Sequence, residues 1–239
     1  MRPVRWRSIW LLLVLSLSVT AVLAFHDAAN AMPVVVTSPA GLGETDFIDW
    51  GVLGPAFTVV SNPFTISSNG GSSSATLSMP SGSFERRDQS TGGWNGNFAP
   101  GDHVLWTEGP NGPITIKFAN PVAGAGARIQ QDFFGDFTAT LQVFDPSNTL
   151  IGAFSLAGTS NFNADNSAIF LGVRDTAAEI GSIVYDTSPI VPHDFAIDRL
   201  SLNLSPVPEP STLALLTTAL PILAVGIRTR VKKRRTLFH

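Results

Sequence analysis

Three acidic residues, Glu44, Asp46 and Asp49, stand within "GETDFIDWG", and a further pair, Asp132 and Asp136, brackets "DFFGD". Carboxylates gathered on loops are the donor set of a hard cation such as calcium, which takes several oxygen ligands from such segments. Calcium is the one cofactor these residues suggest. Neither cluster has the spacing of an EF-hand loop, so solvated acidic loops are the competing reading. A second chemistry is offered by "GGWNGNF", where Trp94 carries a flat apolar face beside the amides of Asn95 and Asn97. An aromatic face next to hydrogen-bonding groups suits a sugar ring, although an aromatic in such a loop also serves as buried filling.

Catalysis has less to draw on. The histidines are His26, His103, His193 and His239, and two adjoin an aspartate, in Asp102-His103 and His193-Asp194. Neighbours on a strand point to opposite faces, so neither pair is a ready dyad. No G-x-S-x-G or H-E-x-x-H motif occurs, and the absence of cysteine removes thiol chemistry and zinc–thiolate sites. The expected reading is non-enzymatic. Paired carboxylates leave a glycan-active hydrolase as an alternative.

The elements that must position these residues follow from charge and periodicity. Residues 32–206 hold six basic residues against 16 acidic ones, a net of −10 that the whole-chain value of −3 conceals. Nucleic acid needs a basic face and is excluded as a partner. In "PITIKF" and "FTATLQVF" apolar and polar residues alternate strictly, the pattern of half-buried antiparallel strands. Further strands are expected at 34–37, 57–60, 64–67, 75–79, 103–107, 150–156, 168–173, 180–185 and 195–204. Pro146-Ser147-Asn148 marks a hairpin turn. Residues 86–102 read as one long polar loop, of the kind that often binds something. In "DFAIDRLSLNL" a regular strand would put Asp198 on the face of Leu200 and Leu202, where a carboxylate needs a partner, a proton or a bulge.

Both ends read as targeting segments. Residues 1–31 carry Arg2, Arg5 and Arg7, an apolar run over 9–24 and the small-residue site Ala29-Asn30-Ala31. Together these make a secretory signal peptide for signal peptidase. Val22-Leu23-Ala24 is a rival cleavage site, and an uncleaved anchor is the competing reading. At the other end Ser205-Pro206-Val207-Pro208-Glu209-Pro210 must be extended, because each proline fixes its own φ and restricts the residue before it. The uncharged stretch 211–227 follows, at about 26 Å the lower limit for crossing a bilayer. Arg228, Arg230, Lys232, Lys233, Arg234 and Arg235 then form a basic stop-transfer cluster that stays in the cytoplasm.

Val207-Pro208-Glu209-Pro210-Ser211-Thr212, the apolar segment and the basic tail together resemble the PEP-CTERM sorting signal of Gram-negative envelopes. The resemblance implies an exosortase-type membrane protease that cuts near Pro208-Glu209-Pro210, and delivery to the cell surface or an exopolysaccharide matrix. A plain tail anchor is the rival. The segments "DWGVLGP", "GAGARIQQDFFGDFTATLQVFD", "AIFLGVRD" and "DFAIDRLSL" are similar to exported domains that bear this tail, and their order resembles galactose-binding-like jelly rolls. That likeness implies glycan binding, in some cases with a structural calcium.

The expectation is an all-β protein with one jelly-roll-like β-sandwich at 32–205. A signal peptide at 1–31 precedes it and a sorting signal with a transmembrane helix follows at 206–239. It would be exported, held transiently in the inner membrane, then placed at the surface or in the matrix in association with exopolysaccharide. A purely structural envelope protein without a discrete ligand is the alternative.

Overall fold

Alternating residues build two antiparallel sheets. The computed structural model describes residues 32–204, apart from 91 and 190. Its strands in chain order are β1 (Val34–Val36), β2 (Asp46–Ile48), β3 (Thr58–Val60), β4 (Phe64–Ser67) and β5 (Ser74–Ser78). Then come β6 (Phe84–Asp88), β7 (His103–Trp106), β8 (Ile114–Val122), β9 (Gly124–Gln131) and β10 (Gly135–Phe144). The last are β11 (Leu150–Ser160), β12 (Ile169–Arg174), β13 (Ile180–Ser188), β14 (Phe195–Ile197) and β15 (Leu200–Asn203). The larger sheet runs β1-β12-β9-β14-β7-β6-β3, with β15 paired to both β9 and β2, and the smaller runs β11-β10-β13-β8-β5-β4. Among the described residues no helix is long and apolar enough to cross a membrane.

The core lies between the sheets. Phe137, Ala139, Leu141 and Val143 of β10 and Ile114, Ile116 and Phe118 of β8 turn inward, as their alternation predicts. They meet Ile129, Leu171, Val173, Ile197, Leu200 and Leu202 from the other sheet. Each such side chain, fully buried, contributes about 1.5–3 kcal/mol. Tyr185 on β13 ties the layers together: its hydroxyl donates to the Leu171 carbonyl at 2.6 Å and accepts the Ala127 N–H at 3.0 Å. Burial pushes the pKa of this phenol well up, so it remains protonated. The expected hairpin forms between β10 and β11, where Asn148 takes a positive φ and its N–H reaches the Asp145 carbonyl.

Several elements differ from expectation, three of them near the candidate site or the core. Residues 86–88 belong to β6, so the long loop spans 89–102. Strand β9 breaks the alternation because both its faces are covered, and its small residues admit close neighbours. A Cβ on Gly126, for example, would fall 2.8 Å from the Gly172 Cα. The single strand expected at 195–204 divides into β14 and β15 around Asp198 and Arg199. At that break Asp198 stays buried, its carboxylate accepting the Arg128 N–H at 2.6 Å and the Arg128 guanidinium at 3.1 Å. The Trp50 indole N–H caps the Asp198 carbonyl at 2.6 Å.

Candidate functional site

The outer face of the larger sheet carries a second apolar layer. Strand register places Glu85 opposite Trp106, Arg87 opposite Val104, and Ala196 opposite both Trp106 and Gln130. The 89–102 loop folds back onto this face through Trp94 N–H to the Asp88 carbonyl at 2.7 Å and Ser90 N–H to the Trp94 carbonyl at 3.0 Å. It seats Trp94 and Phe98 against Val104, Ala168, Ala196 and Trp106.

This corrects the reading of the loop as a sugar platform. Trp94 is only 5% exposed, and its indole N–H donates to Gln130 Oε1 at 3.3 Å. Asn97 is fully buried as a tie between loops: its amide donates to Ser167 Oγ at 2.7 Å and its oxygen accepts the Asn161 N–H at 2.7 Å. Of the three proposed contacts only Asn95 remains exposed.

Asn95 lies on a cleft of about 590 Å³ between this loop and the 161–164 segment. Asp88, Gln89, Ser90 and His103 supply its other polar lining, and Phe162 its apolar edge. Phe162 is 62% exposed, with its ring centroid 5.7 Å from that of Phe134, which is also exposed. The two rings form an aromatic ledge that carries no periodic signal in the sequence, because both sit beside turns rather than on a regular strand. Gln89 is buried; its amide donates to the Gly96 carbonyl at 3.0 Å while its Oε1 has no hydrogen-bond partner among the described residues.

Titratable side chains connect along the cleft. His103 Nδ1 lies 2.7 Å from Asp49 Oδ1, His103 Nε2 lies 3.8 Å from Asp88 Oδ1, and Asp88 in turn meets the buried Arg86 guanidinium at 2.6 Å. Burial works to raise the Asp49 pKa, but the Gly51 N–H and His103 outweigh it and hold the carboxyl below its ordinary value. His193 likewise meets an aspartate distant from its neighbour Asp194, with Nδ1 2.8 Å from Asp186 Oδ1. Both histidine–aspartate pairs escaped the sequence reading, since neither joins residues adjacent in the chain. Beside Trp106, whose indole N–H donates to Asp194 at 2.8 Å, burial and the Asp194 charge push the Asp132 carboxyl up to about 6, against the pull of Arg87. The Arg87 guanidinium itself lies over the Phe57 and Trp106 rings, 4.5 and 4.9 Å from their centroids.

The proposed calcium ligands do not converge. Glu44 pairs with Arg199 at 2.9 and 3.0 Å. Asp46 accepts the Phe47 and Gly70 N–H groups at 2.8 and 2.9 Å and the Ser72 hydroxyl at 3.1 Å, which organises the turn before β5. Burial opposes ionisation of Asp46, yet these hydrogen bonds, with one from Ser68, bring its carboxyl below the ordinary value. Asp49 serves His103 and the Gly51 N–H, and Asp136 accepts the Thr159 hydroxyl at 2.7 Å. Among the described residues no three histidine, aspartate or glutamate side chains come together as a metal site, so these carboxylates do not fit calcium as one ligand set. Ala29, Ala31, Val207, Pro208, Glu209, Pro210 and the basic cluster from Arg228 to Arg235 lie outside the described residues.

Comparison with known proteins identifies the tail. The PEP-CTERM protein-sorting motif matches residues 206–233. No curated protein matches the chain. Among solved structures, the chain is similar to a DUF4465 family protein from Bacteroides caccae at 14% identity, over 72% of this chain and 99% of that one, with a TM-score of 0.36. It is also similar to CsCBM6-3 from Clostridium stercorarium in complex with cellobiose, at 16% identity over 45% of this chain and 79% of that one, with a TM-score of 0.27. The tail motif marks an exported protein that is sorted through its C-terminal region by an exosortase-type membrane protease, by way of a membrane-anchored intermediate.

Proposed function

We propose that this exported, PEP-CTERM-bearing chain is a non-enzymatic surface or matrix protein that associates with exopolysaccharide through the cleft beside Phe162. The observation that carries the reading is that exposed Phe162, packed near Phe134, lines one cleft with the amide, hydroxyl and carboxylate groups of Asn95, Ser90 and Asp88. A sugar ring has an apolar C–H face and a rim of hydroxyls, and it needs both kinds of surface at once. The net charge of −10 over residues 32–206 favours neutral glycans over polyanions.

The route to that location is read from the two ends. Signal peptidase removes residues 1–31 at the Ala29–Ala31 site, the basic cluster holds the tail in the inner membrane, and the exosortase cuts near Pro208-Glu209-Pro210.

Titration calorimetry of the purified chain against the producing cell's own exopolysaccharide tests the binding. Saturable heat that weakens with Phe162→Ala supports it. Heat that is absent for the unaltered chain returns the protein to the alternative of a structural envelope component without a discrete ligand.

A further inference from the structure

Among the described residues, strand β11 is an open edge. It pairs with β10 on one side and closes the order of the smaller sheet. Its other side presents backbone N–H and C=O groups along 11 residues, and no loop backbone hydrogen bond among the described residues reaches 150–159. The remaining edges among the described residues, β1, β2, β3 and β4, are only three or four residues long, which is one of the ways proteins blunt an edge. The other common guards are a charge or a proline, and "LIGAFSLAGTS" has neither. From Gly152 to Ser160 its pairing with β10 is also regular, so no bulge twists that part away. A long, uncharged and regular edge is a template for another strand.

The sequence of the edge identifies the strand it fits. Gly152-Ala153-Phe154-Ser155-Leu156-Ala157-Gly158 reads almost identically in both directions about Ser155. In an antiparallel pair of two copies with the two-fold axis at Ser155, glycine stands opposite glycine, alanine opposite alanine, and Phe154 opposite Leu156. Phe154 and Leu156 face the core yet are only partly buried at its rim, so two copies would cover each other's remaining apolar surface. Ala153, Ser155 and Ala157 are exposed on the outer face and small enough to approach closely. In a body with a net charge of −10, this strand is also a stretch where two copies meet without setting carboxylate against carboxylate.

We infer that β11 pairs with β11 of a second copy of this chain, antiparallel about Ser155, joining two six-stranded sheets into one. The contact is the same patch on both partners and therefore closes as a dimer. It is independent of the glycan reading.

The chain has no cysteine, which makes cross-linking clean. Residues directly opposite on such a ladder have Cβ atoms about 4.5–5.5 Å apart, close to the span of a disulfide. In the full-length chain in detergent, Ser155→Cys should form a linked dimer under mild oxidation at least about tenfold faster than Thr65→Cys on the opposite edge of the same sheet, the gain expected from thiols held in register. Ala153→Cys and Ala157→Cys should each stay unlinked alone and should link to one another when mixed, one carrying a mass tag. Equal rates for Ser155→Cys and Thr65→Cys, or Ala153→Cys linking to itself as readily as to Ala157→Cys, would overturn the inference. So would light scattering that shows the unaltered chain as a monomer at every concentration at which Ser155→Cys is oxidised.

Discussion

Asp198 and Arg128 meet twice, through the backbone N–H of Arg128 at 2.6 Å and through its guanidinium at 3.1 Å, and even so burial pushes the Asp198 carboxyl up to about 7. Asp132 is raised to about 6 as well. An aspartate in the unfolded chain titrates near ~3.9, so between about pH 4 and 7 the folded protein binds more protons than the unfolded one. Stability is then highest on the acid side of this window and falls as pH rises through it. The melting temperature should be higher at pH 5 than at pH 8. Asp198→Asn should reduce that difference, stabilising the protein at pH 8 by on the order of 1–2 kcal/mol while changing little at pH 5. A melting temperature that rises from pH 5 to pH 8 would contradict the burial of Asp198.

Trp94 and Phe162 should separate by what they lose. Trp94→Ala empties the layer formed with Phe98, Val104 and Trp106, and should destabilise the fold by about 3–5 kcal/mol in a urea titration. Phe162→Ala removes a side chain that is 62% exposed and should leave the urea midpoint nearly unchanged while weakening glycan binding about tenfold, near 1.4 kcal/mol. Equal destabilisation by both would mean that Phe162 is packing rather than presenting a surface.

Tyr185→Phe tests the tie between the sheets. It keeps the ring and removes the hydroxyl that serves the Leu171 carbonyl and the Ala127 N–H. Two buried backbone groups lose their partner, so the cost should be about 1–3 kcal/mol. Tyr185 is the chain's single tyrosine, so the difference in near-ultraviolet circular dichroism between the unaltered protein and Tyr185→Phe isolates its contribution from those of the five tryptophans.

For the sorting motif, Glu209→Ala within Pro208-Glu209-Pro210 should leave the chain uncleaved in the inner-membrane fraction, read by immunoblot. Normal processing of that variant would remove the exosortase from the proposal.

What could be read from the sequence was what strict alternation encodes. The β8 and β10 strands, the Pro146-Ser147-Asn148 turn and the two-sheet architecture follow from period-two patterning and turn residues. Strand β9 could not be read that way, because a strand covered on both faces has no polar side to alternate with. In β6 the run "FERRD" looks like loop, but Arg86 shares a face with Leu105 and is charge-paired to Asp88, while Arg87 meets Glu85 on the other face. Of the candidate contacts in the loop, Asn95 lines the cleft, whereas Trp94 turned inward because the outer face of the sheet offered Val104, Ala168 and Ala196 to cover. The Asp49–His103 contact joins residues 54 apart, and no local spacing announces it.

Strand β15 lies between β2 and β9, and from its end the chain continues toward the 206–233 motif. Hydrogen bonds in an antiparallel ladder run across the strands, so tension applied along the tail loads them in shear and together. Here two ladders share that load at once, whereas a strand at the rim would have one. A body held by its tail thus hangs from a strand inside its larger sheet, and a pull along that strand is resisted by two ladders rather than one.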